Sequence, residues 1–127
     1  MYYEASVCGG IPIVKALSEG LAANSVTAIV GILNGTCNYI LSTMRATGRD
    51  FGDVLREAQE LGYAEADPTA DVEGHDAAAK AALLASLAFH STVVIDEVYC
   101  EGITHITSED VAAAKSMNSI IKLLAIA

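Results

Sequence analysis

Gly62-Tyr63-Ala64-Glu65-Ala66-Asp67-Pro68-Thr69-Ala70-Asp71-Val72-Glu73-Gly74-His75-Asp76-Ala77-Ala78-Ala79-Lys80 is the stretch on which the reading of this chain turns. It crowds five carboxylates, Glu65, Asp67, Asp71, Glu73 and Asp76, into one short segment and closes on a single lysine. One helical pattern ends before it, and the next begins inside it. Pro68 excludes a continuous helix through Ala66 and Asp67, because the residue before a proline is driven out of the helical region.

The spacing predicts a helix from about Val72 to Phe89, rich in alanine. On it Asp76 and Lys80 stand at i and i+4, one turn apart on one face. Leu83 and Leu87 continue that face, so the pair forms the polar end of an apolar stripe, at the margin of the core or the floor of a cleft. An ammonium held there has fixed acceptors and a fixed direction, which suits a proton donor or a cation that stabilises a developing alkoxide. The same spacing also fits an ordinary exposed helix salt bridge worth a few tenths of a kcal/mol. Spacing alone leaves both readings standing. The acidic run has similar alternatives: a solvated loop, a calcium loop, or a set of carboxylates that grips the ammonium group of an amino acid. It lacks the Asp-x-Asp-x-Asp-Gly spacing of an EF-hand.

Outward from this segment, Asp50 caps a helix whose apolar positions Val54, Leu55, Ala58 and Leu61 follow the 3.6 period, with Gly62 in the C-cap place. Before it, Asn34-Gly35-Thr36 caps a helix carrying Ile40, Leu41 and Met44 and stopping at Gly48. Val26 to Leu33 is apolar on both alternating faces and predicts a covered interior strand. Pro12 opens a helix to about Ala23. On the far side, Val93 to Ile95 and Val98 to Ile103 read as short β pieces, and Ser108-Glu109-Asp110 caps a helix from Val111 to Met117. Ile120 to Ile126 reads as a final strand. These elements predict an α+β fold, a small mixed sheet with helices packed on one face, in a single domain of residues 1–127.

Composition narrows the classes of function. The 127 residues are 53% hydrophobic and carry a formal charge of −9, with no basic run. An acidic surface repels phosphate backbones and anionic membranes, so neither nucleic acid nor a membrane is an expected partner. No window approaches the roughly 18 uncharged apolar residues of a membrane span, and Met1-Tyr2-Tyr3-Glu4 does not read as a signal peptide. Cys8, Cys37 and Cys100 are odd in number and lack CxxC spacing, which predicts reduced thiols in a cytoplasmic protein. His75, His90 and His105 show no metal-ligand spacing and are read as non-catalytic.

Three segments then carry a family resemblance. Tyr3-Glu4-Ala5-Ser6-Val7-Cys8-Gly9-Gly10-Ile11-Pro12-Ile13, Gly31-Ile32-Leu33-Asn34-Gly35-Thr36-Cys37-Asn38-Tyr39-Ile40-Leu41, and Gly62 to Lys80 resemble homoserine dehydrogenase. The likeness extends to Glu101-Gly102-Ile103 and Ile121-Lys122-Leu123-Leu124 and runs in family order along the chain. The part represented looks like the catalytic, substrate-binding domain. The resemblance implies NADPH- or NADH-dependent reduction of L-aspartate 4-semialdehyde to L-homoserine, on the route to threonine, methionine and isoleucine. It implies that Lys80 donates the proton to the carbonyl oxygen and that Asp76 is its acidic companion in catalysis and substrate binding. It places Glu65 on the substrate's amino group and Asp71 in the same pocket. It also implies a sodium ion held by Glu4 and the main-chain carbonyls of Val7, Gly9 and Ile11, and assembly as a homodimer or homo-oligomer.

The family's dinucleotide-binding domain carries a βαβ glycine fingerprint that these 127 residues lack. The expectation is therefore a domain excised from a longer enzyme, inactive alone. The competing reading is a non-enzymatic amino-acid-binding or dimerisation module of the same fold.

Overall fold

The computed structural model describes residues 7–127, and Glu4 lies outside them. In chain order the described elements are α1 (Ile13–Lys15), continuing as a π-helical turn (Ala16–Gly20), then β1 (Val30–Gly31), α2 (Gly35–Thr47), α3 (Phe51–Glu60) and α4 (Thr69–Val72). After these come α5 (His75–Ala88), a 3₁₀ turn (Ile95–Glu97), α6 (Ser108–Ser116) and β2 (Ala125–Ile126). The α+β class holds. The chain divides into two compact units: residues 34–75 with 100–123, and residues 7–33 with 76–99 and 124–127.

The unit of residues 34–75 and 100–123 is built on α2. Asn34 caps it by accepting the Cys37 N–H on its side chain, and Gly48, at φ 72°, ends it in the left-handed conformation that glycine adopts without strain. Cys37, Ile40, Leu41 and Met44 recur at helical spacing and form the buried face of α2. They share one core with Val54 and Ala58 of α3, Val72 of α4, Val111 of α6, and Ala64 and Ile103 from the connecting chain. The end of α3 is a Schellman motif. Tyr63 N–H reaches the Ala58 carbonyl at 2.8 Å, and Gly62 N–H reaches that of Gln59 at 3.1 Å. Gly62 supplies the required positive φ of 78°. α6 starts with a reciprocal capping box between Thr107 and Asp110.

In the other unit, β1 and β2 form a two-stranded antiparallel ladder with Val30 opposite Ile126 and Gly31 opposite Ala125. The buried face of α5 is made almost wholly of small side chains, Ala77, Ala78, Ala81, Ala82 and Ala85, with Leu84.

Several sequence expectations are corrected here. The strand expected over Val26 to Leu33 is limited to Val30–Gly31 and is not covered: Val30 is 66% exposed and Ile32 53%. Val93 to Ile95 and Val98 to Ile103 form no strands; Asp96 and Glu97 turn the chain into a 3₁₀ turn, and Val94, Ile95 and Tyr99 are exposed. β-branched composition favours a strand only when a neighbour pairs with it. The helix expected from Val72 begins instead at His75, because Gly74 at φ 86° separates α5 from α4, whose last residue is Val72. The expected helix from Pro12 to Ala23 is reduced to α1 and its π turn.

Candidate functional site

α5 positions a lysine and an aspartate. Asp76 lies in its first turn and Lys80 one turn later, and Lys80 Nζ donates to Asp76 Oδ2 at 2.7 Å. The same ammonium donates to the main-chain carbonyl of Leu33 at 3.1 Å, across 47 residues of sequence. Their side chains are 22% and 31% exposed, Lys80 and Asp76 respectively. This is not the solvated pair that i,i+4 spacing ordinarily makes. An ammonium has three N–H donors. Two are committed, and among the described residues no protein acceptor takes the third. Leu83 and Leu87 are half-buried on the same helix, so the pair does stand at the margin of a buried face.

The acidic segment as far as Glu73 lies within the other unit. Its backbone is held from three directions. Gln59 Nε2 donates to the carbonyls of Glu65 and Ala66 at 3.0 and 3.2 Å. Thr36 Oγ1 donates to the Tyr63 carbonyl at 2.9 Å. Ile103 N–H donates to the Val72 carbonyl at 2.8 Å. With the backbone fixed, the Glu65 side chain is exposed and makes no hydrogen bond to a described residue.

Asp71, by contrast, is engaged. Its Oδ1 accepts from Asn34 Nδ2 at 2.6 Å, and its main-chain carbonyl accepts from the buried Cys37 thiol at 3.1 Å. Asp67 turns inward on its own loop, accepting from Thr69 O–H at 2.6 Å and Thr69 N–H at 3.1 Å. Those bonds, the hydroxyl's first, hold its carboxyl below the usual carboxylate value.

Around the N-terminal turn, Cys8 and Gly9 take left-handed conformations in succession, and Ile11's carbonyl accepts the Ile13 N–H at 2.8 Å. Val7 is fully buried, whereas Gly9 and Ile11 are exposed. Among the described residues, no three His, Cys, Asp or Glu side chains gather into a group that could hold a metal ion.

The model of the family described as homoserine dehydrogenase matches residues 12–127. This chain belongs to the homoserine dehydrogenase family. It is 57% identical over 126 residues to the homoserine dehydrogenase of Corynebacterium glutamicum, a match covering 99% of this chain and 28% of that protein. It is 57% identical over 124 residues to that of Synechocystis, covering 98% and 29%. Among solved structures, a homoserine dehydrogenase from Thiobacillus denitrificans superposes at a TM-score of 0.95 with 55% identity over 98% of this chain and 29% of that one. A hyperthermophilic archaeal homoserine dehydrogenase in complex with NADPH matches at a TM-score of 0.71 and 28% identity, covering 83% and 32%. The chain thus spans less than a third of the length of the curated relatives it matches.

Sequence spacing brought Asp76 and Lys80 together. It missed Asn34 and the Leu33 carbonyl. The side-chain cap at Asn34 was visible, but its second bond lies 37 residues away. A carbonyl ligand leaves no side-chain signature at all.

Proposed function

We propose that this chain is the catalytic, substrate-binding segment of a homoserine dehydrogenase, reducing the aldehyde of L-aspartate 4-semialdehyde to the alcohol of L-homoserine with NADPH or NADH in threonine, methionine and isoleucine biosynthesis. The observation that carries this reading is the Lys80 ammonium, held by Asp76 and the Leu33 carbonyl, with no described residue accepting from its remaining N–H. As negative charge develops on the substrate oxygen, that remaining N–H is the group that stabilises it and passes the proton. Asp76 keeps the lysine aimed. The exposed Glu65 carboxylate suits the substrate's ammonium group, with Asp71 beside the same role.

The nicotinamide would supply a hydride when bound. No βαβ unit occurs among the described residues, so its binding is assigned to sequence outside this chain. On this reading the 127 residues alone give no semialdehyde-dependent NADPH oxidation. A sodium ion at Glu4 and the carbonyls of Val7, Gly9 and Ile11, and assembly as a cytoplasmic homodimer or homo-oligomer, belong to the same proposal. No described helix is long and apolar enough to cross a membrane.

The test is Lys80→Met in the full-length polypeptide. Loss of a general acid lowers kcat by about 10²- to 10⁴-fold, while L-homoserine still binds. A Lys80→Met enzyme with wild-type kcat overturns the assignment.

A further inference from the structure

We propose that Asn34 is a positioning residue for the Asp71 carboxylate, and that this pairing sets how tightly the enzyme holds the ammonium end of its amino-acid substrate. The inference rests on the functional reading above. Asn34 is 3% exposed. A carboxamide has one acceptor oxygen and an NH₂ donor, and here each faces a partner of opposite kind. The Cys37 backbone N–H can only donate, so it takes Oδ1, at 2.8 Å. The Asp71 carboxylate can only accept, so it takes Nδ2, at 2.6 Å. The two ends of the amide are therefore assigned by chemistry and cannot be exchanged.

That double duty explains the residue type. Asp, Ser, Thr and Asn all cap helices. Among them only Asn caps a helix with its oxygen and still offers an NH₂ donor to a carboxylate. The need for such a tie is clear from α4, whose four residues are too few to hold a helix by themselves. Asn34 grips Asp71 by its side chain, and the Cys37 thiol grips it by its carbonyl. With Oδ1 held, the direction of the second carboxylate oxygen is set before any ligand arrives. A carboxylate ordered in advance spares a bound ammonium the entropy of ordering it.

The decisive variant is Asn34→Asp in the full-length enzyme. Aspartate keeps the cap but replaces the donor to Asp71 with a second carboxylate. KM for L-homoserine should rise on the order of tenfold, as befits a lost hydrogen bond to a charged group, while kcat changes far less. Thr107→Ala, which removes a helix cap elsewhere in the same unit, should lower Tm and leave KM unchanged. In the double variant Asn34→Asp with Asp71→Asn, donor and acceptor are exchanged. Tm should then recover while KM stays high, because the charge at position 71 is gone.

The inference fails if Asn34→Asp leaves KM unchanged, or if Thr107→Ala raises KM as much at an equal loss of Tm. If Asn34→Asp does not fold, a folded double variant with wild-type KM sinks it as well. A wild-type enzyme that does not oxidise L-homoserine overturns the functional reading instead. An active wild type with an indifferent Asn34→Asp overturns this inference alone.

Discussion

Gly102 lies so close to the acidic segment that a Cβ on it would stand 2.3 Å from the Val72 carbonyl oxygen and 2.6 Å from Glu73 Cα. The next residue, Ile103, donates its N–H to that same Val72 carbonyl and buries its side chain in the core. The strand-like composition around Gly102 therefore serves a different end: it fastens the backbone that leads from Asp71 towards Asp76. Glycine is needed for closeness, since its φ is not in the left-handed region.

Gly102→Ala should accordingly destabilise the protein. Both atoms it would strike belong to backbone, so neither can swing aside, and overpacking of this kind costs about 1–3 kcal/mol. Urea unfolding with an unshifted midpoint would count against this packing account.

Asp76→Asn should separate charge from geometry at the lysine. The amide oxygen can still accept from Lys80, and the Leu33 carbonyl is untouched, so the lysine stays near its place. What is lost is the neighbouring negative charge. In the full-length enzyme kcat should fall by less than in Lys80→Met; an equal or larger fall in Asp76→Asn would show that Asp76 does more than aim the lysine.

Acid should loosen the loop through Asp67. Its carboxyl is held below the usual value by the Thr69 hydroxyl and N–H, and that of Glu57 is held down by its bonds from Arg49 and then Tyr39. A depressed carboxyl stabilises the fold fully above its unfolded value of about 4, and loses that contribution as pH falls through its lower folded value. Tm should thus decline below about pH 4, and Thr69→Val should flatten the part due to Asp67. An unchanged acid limb in Thr69→Val would remove Asp67 from this account.

Thr107→Ala should cost about 1 kcal/mol, the usual worth of a side-chain cap. The cap and the Asp110 carboxylate support each other, since Asp110 accepts from both the N–H and the hydroxyl of Thr107. Asp110→Ala in the Thr107→Ala background should then cost less than in the wild type, as a double-mutant cycle would read.

What was legible in the sequence follows the range of each interaction. The ends of α2 and α3 were readable from Asn34, Gly48 and Gly62, because capping and positive φ act within a few residues. Asp50 marks the start of α3 too, although its side chain makes no capping bond. The break at Gly74 is not legible in the sequence, since a helical pattern adjoins it and only its φ of 86° exposes the turn. The β readings over Val93 to Ile95 and Val98 to Ile103 failed because a strand is defined by its neighbour.

By itself the sequence determined the family, the α+β class and the pairing of Asp76 with Lys80, since helical geometry places i and i+4 side chains together whatever surrounds them. Only the tertiary structure decided what that pairing amounts to. The Leu33 carbonyl that accepts a second N–H of Lys80, the Asn34 amide that holds Asp71, and the absence of room at Gly102 all come from chain brought back over long loops. Such closures are driven by burial of the α2 core and its counterparts, and that burial leaves no local mark on the residues it brings into contact.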